Sequence, residues 1–180
     1  MIELETSRLR LLPFSWDDLD ELALLGSDPT TRGFLWDGPV DYETTASNLR
    51  QWMKEYERGL GHSAMISKPG GELVGHCGLT ERDGRIVLVY ALSKEHWCKG
   101  LVPEACGTVL RYGFEVMELE EIWTGTRARN FAWRGMMEKL GMTFREAEYS
   151  GDGEEVRYAI LREEFLDIPS TRGNPAPSAS

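Results

Sequence analysis

The stretch Tyr90 to Ala105, YALSKEHWCKGLVPEA, leads from an apolar strand through a short basic, glycine-containing loop into a helix N-terminus. Such a loop presents backbone N–H groups that have no helical partner, and the helix dipole adds partial positive charge. With Lys99 at its rim, the place suits a pyrophosphate. One glycine beside one lysine is a short motif, and an ordinary strand-to-helix turn explains the local residues equally well. A second group able to do chemistry lies on the strand before. Asp83-Gly84 reads as a two-residue hairpin turn, which sets Arg82 opposite Arg85 and gives every cross-strand pair the same sum of residue numbers. His76 then falls opposite Ala91, close to the exit of the strand. An imidazole titrates near working pH and suits proton abstraction, directly or through a water; packing within the sheet or a place on its surface are the other roles open to a strand histidine.

Both groups need a sheet to hold them. Arg8 to Phe14 reads as a first strand, followed by a capping-box start at Ser15 and Asp18 and a helix through Leu19, Leu22, Ala23 and Leu25. Asp41 can cap a second helix, with Tyr42, Ala46, Leu49, Trp52, Met53 and Tyr56 at helical spacing. Ser63–Ser67, Leu73–Leu79 and Arg85–Leu92, separated by Gly70-Gly71 and Asp83-Gly84, form an antiparallel meander. From Val102 the apolar residues recur at i, i+3, i+4 and i+7 as far as Met117, behind Pro103 in the first turn. A strand at Glu121–Thr126, a helix over Asn130–Leu140 and a hairpin of Thr143–Glu148 with Glu155–Arg162 complete the pattern.

Four of these segments, in this order, carry a resemblance: ETSRLRLLPF, SDPTTRGFLW, YALSKEHWCKGLVPEA and NFAWRGMMEKLGM. From about Glu5 to about Phe165 the sequence resembles the GCN5-related N-acetyltransferases (GNAT), in the branch of the ribosomal-protein alanine acetyltransferases. The resemblance implies an α/β (α+β) GNAT fold over residues 1–166. Its central sheet would be mixed and mostly antiparallel, with about seven strands flanked by helices and a splay between the fourth and fifth. It implies that the amides of Trp97, Cys98, Lys99, Gly100, Leu101 and Val102, ahead of Pro103, hold the pyrophosphate of coenzyme A. Only Gly100 matches the family's loop pattern; Val102 is β-branched where a very small residue is usual, and Cys98 stands where glycine is common. Leu92 takes the position whose amide pairs with pantetheine and faces the thioester carbonyl, a preorganised donor for a developing oxyanion. Asn130 takes the place of an asparagine that contacts the pantetheine arm, and helix capping is compatible with that. Phe34, Leu35 and Trp36 fall in a loop of the region where the family builds its acceptor pocket.

The same resemblance exposes gaps. Trp133 stands where a serine is frequent, Met137 where other branches have a tyrosine, and Val87 where a glutamate often begins the central strand. The usual acids and one usual base are therefore missing, and His76, beside the thioester position, becomes the expected base. Coenzyme A is an acceptable leaving thiolate near neutral pH, so transfer does not require an acid. The function expected is direct transfer of an acetyl group from acetyl-CoA to a primary amine, either a small molecule or a peptide N-terminus, with no metal. A catalytically impaired coenzyme-A-binding module and a purely structural protein on the same fold are the alternatives.

Composition narrows the partners. With 30 acidic and 20 basic residues, a net charge of −10 opposes extended contact with nucleic acid. Cys77, Cys98 and Cys106 are odd in number and lack CxxC spacing, which points to thiols of a cytoplasmic protein and away from a disulfide framework. No segment approaches the length of a membrane span, and a homodimer is the assembly expected. Residues 167–180, rich in Pro, Ser, Gly and Ala, read as a flexible tail without apolar anchors.

Overall fold

The computed structural model describes residues 3–32, 39–150 and 153–168. Its strands are β1 (Leu4–Glu5), β2 (Leu9–Pro13), β3 (Gly61–Ser67), β4 (Leu73–Arg82), β5 (Arg85–Leu92), β6 (Glu121–Arg127), β7 (Thr143–Ser150) and β8 (Gly153–Leu161). Its helices are α1 (Leu19–Ser27), α2 (Pro29–Arg32), α3 (Tyr42–Glu55), α4 (Leu101–Arg111), α5 (Phe131–Lys139) and α6 (Arg162–Leu166). The strands form one sheet in the order β1-β2-β3-β4-β5-β6-β8-β7. That is one strand more than the expected seven. The addition is β1, whose two residues pair with Leu11 and Arg10 and are too few for any periodicity to show.

Turn and cap chemistry fixes the elements. Asp83 and Gly84 take φ of 51° and 75°, the signs a type I′ turn needs, and β4 and β5 pair in unbroken register from Arg82↔Arg85 to Gly75↔Leu92. Ser15 accepts from the Asp17 amide while Asp18 accepts from the Ser15 amide at 2.7 Å, and Asp41 caps α3 by accepting from Thr44 N at 2.8 Å. The apolar stripe of α4 buries Ala105, Cys106, Val109 and Leu110, then tightens no further and widens into a π-helical turn over Tyr112–Val116.

β5 and β6 are the parallel neighbours, and they share the single register pair Val87↔Trp123. Beyond it the strands diverge, with Thr124 Oγ1 donating to the Leu88 carbonyl at 2.9 Å across the widening gap. The expected splay is present; counting β1, it lies between the fifth and sixth strands. Helices α4 and α5 cover one sheet face over a large core that includes Leu9, Leu11, Met65, Leu79, Leu88 and Ile122. Helices α1 and α3 cover part of the other over a small core of Phe14, Leu22, Leu49, Trp52 and Ala64.

The C-terminal expectation needs a correction. Leu161 ends β8, its amide held by Glu164 Oε2 at 2.8 Å as α6 begins, and Ile168, assigned to the tail for want of an anchor, packs against the large core beside Gly141. Residues 169–180 lie outside the described residues. Among the described residues no helix is long and apolar enough to cross a membrane, and no group of three or more His, Cys, Asp or Glu is placed to hold a metal.

Candidate active site

The loop after β5 is shaped from the far end of the chain. The Arg8 guanidinium donates to the carbonyls of Lys99 at 2.6 Å and Gly100 at 3.0 Å, and its Nε to Glu104 Oε2 at 2.7 Å. Arg8 N and Ser7 Oγ both donate to Glu104 Oε1 at 2.9 Å. In a planar trans peptide the N–H points opposite to the C=O. Drawing the Lys99 and Gly100 carbonyls toward Arg8 therefore turns the Gly100 and Leu101 amides the other way, out from Arg8 at the start of α4. Cys98 and Gly100 take φ of 58° and 73° around Lys99, and a turn of this kind gathers successive N–H groups into an anion nest. Gly100 caps α4 without a side-chain hydrogen bond, leaving its first amides unblocked. Burial works to raise the Glu104 carboxyl, but hydrogen bonds from Thr6, Arg8 and Ser7 outweigh it and hold it below its ordinary value, so the clamp stays ionised. The β-branched side chain of Val102, only 9% exposed, is part of the large core.

The splay offers a row of backbone groups. Odd-numbered residues of β5 bond back to β4, a pattern continued by Ser93 N donating to Val74 O at 2.8 Å. By the alternation of an antiparallel ladder, the N–H and C=O of Leu88, Tyr90 and Leu92 face β6, which has moved away. The Leu92 carbonyl is taken by Trp97 Nε1 at 2.9 Å, which fixes the peptide and leaves the Leu92 N–H directed into the gap. On the α5 side Tyr90 stacks on Trp133, with ring centroids 6.2 Å apart and planes at 12°. Burial, with lesser contributions from Cys106 and Cys77, pushes the Tyr90 phenol well above its ordinary value, so it stays protonated.

Across the sheet lie two imidazoles. His76 faces Ala91, as the hairpin arithmetic predicts, and Ala64 on the other side. His62 faces Gly78, one step along the diagonal, and its Nδ1 sits 3.0 Å from Nδ1 of His76. Both rings are 2% exposed. Trp52 of α3 stacks on His62 at 4.0 Å and 12° and touches His76 at 5.2 Å. Tyr56 Oη donates to the His62 carbonyl at 2.6 Å and accepts from Phe14 N at 2.9 Å; burial pushes this phenol up to about 12. A narrow cavity of about 10 Å³, lined by His76, Ala91, Trp52, Asn48, Thr45 and Leu25, opens beside the pair. That is about the space one water needs.

A family model for the acetyltransferase (GNAT) domain matches residues 8–143. The chain belongs to the GNAT acetyltransferase family. It is 29% identical over 127 residues to an uncharacterised N-acetyltransferase, p20, of Bacillus licheniformis, covering 68% of this chain and 71% of that one. It is 28% identical over 182 aligned residues to the FsC-acetyl coenzyme A-N(2)-transacetylase of Aspergillus fumigatus, covering 91% of this chain and 77% of that one. The crystal structure of a GNAT-family acetyltransferase from Bacillus anthracis shares the fold at a TM-score of 0.77 and 23% identity, over 90% of this chain and 99% of that one.

Within this GNAT frame the residues expected from sequence divide into three groups. Leu92, Trp97, Cys98, Lys99, Gly100, Leu101, Val102 and Pro103 fall together at the splay and the start of α4, with His76 one strand away. Asn130 is turned inward: Oδ1 accepts from Trp133 N and Nδ2 donates to Thr126 Oγ1, both at 3.2 Å, so helix capping is the role its side chain shows. Phe34, Leu35 and Trp36 lie outside the described residues. Trp133 and Met137 pack in the large core. Val87 lines an open groove of about 470 Å³ with Arg82, Arg85, Trp123, Glu155 and Arg157, on the same sheet face as His76. Arg8, Glu104 and His62 were not among the residues expected at the site, although Arg8 lies in the segment ETSRLRLLPF and Glu104 in YALSKEHWCKGLVPEA.

Proposed function

We propose that this acetyltransferase moves an acetyl group from acetyl-CoA directly to a primary amine, a small molecule or a peptide N-terminus, with His76 removing the ammonium proton through the adjoining cavity. The observation that carries the reading is the register pair His76↔Ala91, which sets the imidazole beside the strand exit where the Leu92 amide enters the splay. The residues present fit coenzyme A: the Gly100 and Leu101 amides at the start of α4 are turned away from Arg8, and Val102, β-branched where a very small residue is usual, is packed into the large core. When bound, acetyl-CoA supplies the activated thioester and a leaving thiol. Leu92 N–H is then the chain's donor for the carbonyl oxygen, the loop amides hold the pyrophosphate, and the cores on both faces keep the two in line. The relative named as a coenzyme A N(2)-transacetylase supports a nitrogen acceptor. A cytosolic location and a homodimer complete the reading.

Trp133 and Met137, which fill the positions of the family's usual acids with packing side chains, favour a second reading, a coenzyme-A-binding module without turnover. Two measurements separate them. Acetyl-CoA at about 100 times its dissociation constant should stabilise the fold by about 2.7 kcal/mol, read as a thermal shift. Thiol release with a panel of amines should then show turnover that His76→Gln lowers by about 10² to 10⁴-fold. A thermal shift without turnover establishes the binding module, and no shift up to millimolar ligand rejects both readings.

A further inference from the structure

The rings of His62 and His76 share one proton, and the ring that owns it decides whether His76 can accept another. An Nδ1···Nδ1 contact of 3.0 Å requires one imidazole to donate and the other to accept. If His62 donates, a neutral His76 carries its own proton on Nε2 and has no lone pair to offer there. If His76 donates, its Nε2 is bare, and His62 is neutral with its proton on Nε2. The cavity beside Ala91 is lined by His76 and not by His62, so a proton from that side enters the pair through His76.

We propose that His62 is a positioning residue that accepts His76 Nδ1–H and thereby holds His76 in the tautomer whose Nε2 is basic. The proposal rests on His76 being the base. On proton abstraction an N–H bond of the substrate ammonium breaks, an Nε2–H bond forms on His76, and the positive charge moves to that imidazole. His76 Nδ1–H already points at the His62 lone pair, so the new charge meets a formed hydrogen bond and no ring has to turn. The pair holds one such charge, because protonating His62 as well would remove the acceptor.

The surrounding residues keep His62 in this geometry. Gly78, opposite it, lets the backbones of β3 and β4 approach closely at His62, since a Cβ there would collide with the Gly61 carbonyl and the His62 Cα. Trp52 covers one face of the ring, and Tyr56 ties the backbone carbonyl of His62 to the end of α3. Diagonal neighbours across an antiparallel pair lie within reach of ring side chains, which is how residues two positions out of register meet.

Two experiments test the assignment. In the wild-type protein, two-bond ¹H–¹⁵N correlation of the neutral rings should show His76 protonated at Nδ1 and bare at Nε2, with His62 protonated at Nε2; the reverse pattern overturns the proposal. In turnover assays His62→Phe should lower kcat by about 10 to 100-fold with KM for both substrates within about twofold. His62→Asn should recover most of that loss, because its side-chain oxygen can accept where Nδ1 did. Should His62→Phe keep full kcat while His76→Gln loses it, His76 remains the base and the part given to His62 is wrong. Unchanged kcat in His76→Gln removes the base and this proposal with it. A His62→Asn variant no better than His62→Phe assigns the loss to packing and also overturns it.

Discussion

The two faces of the sheet are built on opposite terms. Under α4 and α5 the core is large and apolar, and its buried polar side chains are neutral hydroxyls, an amide and thiols; burial pushes the Cys106 thiol well above its ordinary value, so it carries no charge. Under α1 and α3 the core is small and adjoins a cavity, and every buried histidine and carboxylate among the described residues, His62, His76 and Glu55, belongs to that face. Glu55 is held there by Thr80 Oγ1, which donates to its two oxygens at 2.9 and 3.0 Å. The difference teaches a division of labour: one face fixes the position of α4 by burial, and the other, beside a small cavity, holds the buried titratable groups, with His76 the one nearest the strand exit.

Paired truncations test that division most severely. Leu110 on α4 and Leu49 on α3 are both fully buried. Leu110→Ala should cost about 3–5 kcal/mol and Leu49→Ala closer to 2, because the space beside the small core lets its surroundings relax. Urea melts would measure both, and equal costs would erase the contrast between the faces. A smaller effect is expected at the edge of the large core. Arg8→Gln should weaken coenzyme A binding by roughly tenfold, about 1.4 kcal/mol, by releasing the Lys99 and Gly100 carbonyls, while stability changes little because the Arg8 side chain is 46% exposed. Calorimetry with and without coenzyme A reads both quantities, and unaltered affinity would show that the loop holds its shape unaided. The smallest effect is assigned to Lys99→Ala, at most about 1 kcal/mol of affinity and less at high salt, since an exposed charge adds little to a cradle of amides. Abolished binding in that variant would transfer the pyrophosphate from the backbone to the side chain.

What sequence could reach follows from the range of each interaction. The Asp83-Gly84 turn is local, its type fixes one register, and the pair His76↔Ala91 follows by counting. The start of α4 behind Pro103 is equally local, and its stripe of Ala105, Cys106, Val109 and Leu110 lies on one face. The partner of His76 was out of reach for a definite reason. The β3–β4 register shifts between Met65 and Ile66, so pairing deduced from the Gly70-Gly71 turn would place His62 one residue away from where it lies. Val102 shows a different limit. Its β-branched type departs from the family's loop pattern, but which side of the helix start it occupies is decided by packing against residues distant in sequence. The clamp of Arg8 on Glu104 joins positions 96 residues apart, and neither residue is unusual where it stands.

That clamp also has a consequence in time. Arg8 leaves the ribosome more than ninety residues before the loop it shapes, since its bonds to Lys99 and Gly100 span separations of 91 and 92 positions. The meander β3–β4–β5 can zip from its own turns while the nascent chain is still growing, but the cradle cannot take its final form until the first strand has closed over the start of α4. Contacts of such separation are formed late, after the entropy of a long loop has been overcome. The final shape of the loop is therefore a property of the nearly finished chain, and a shortened product ending before α4, or starting after Arg8, would own most of the sheet and lack the clamp.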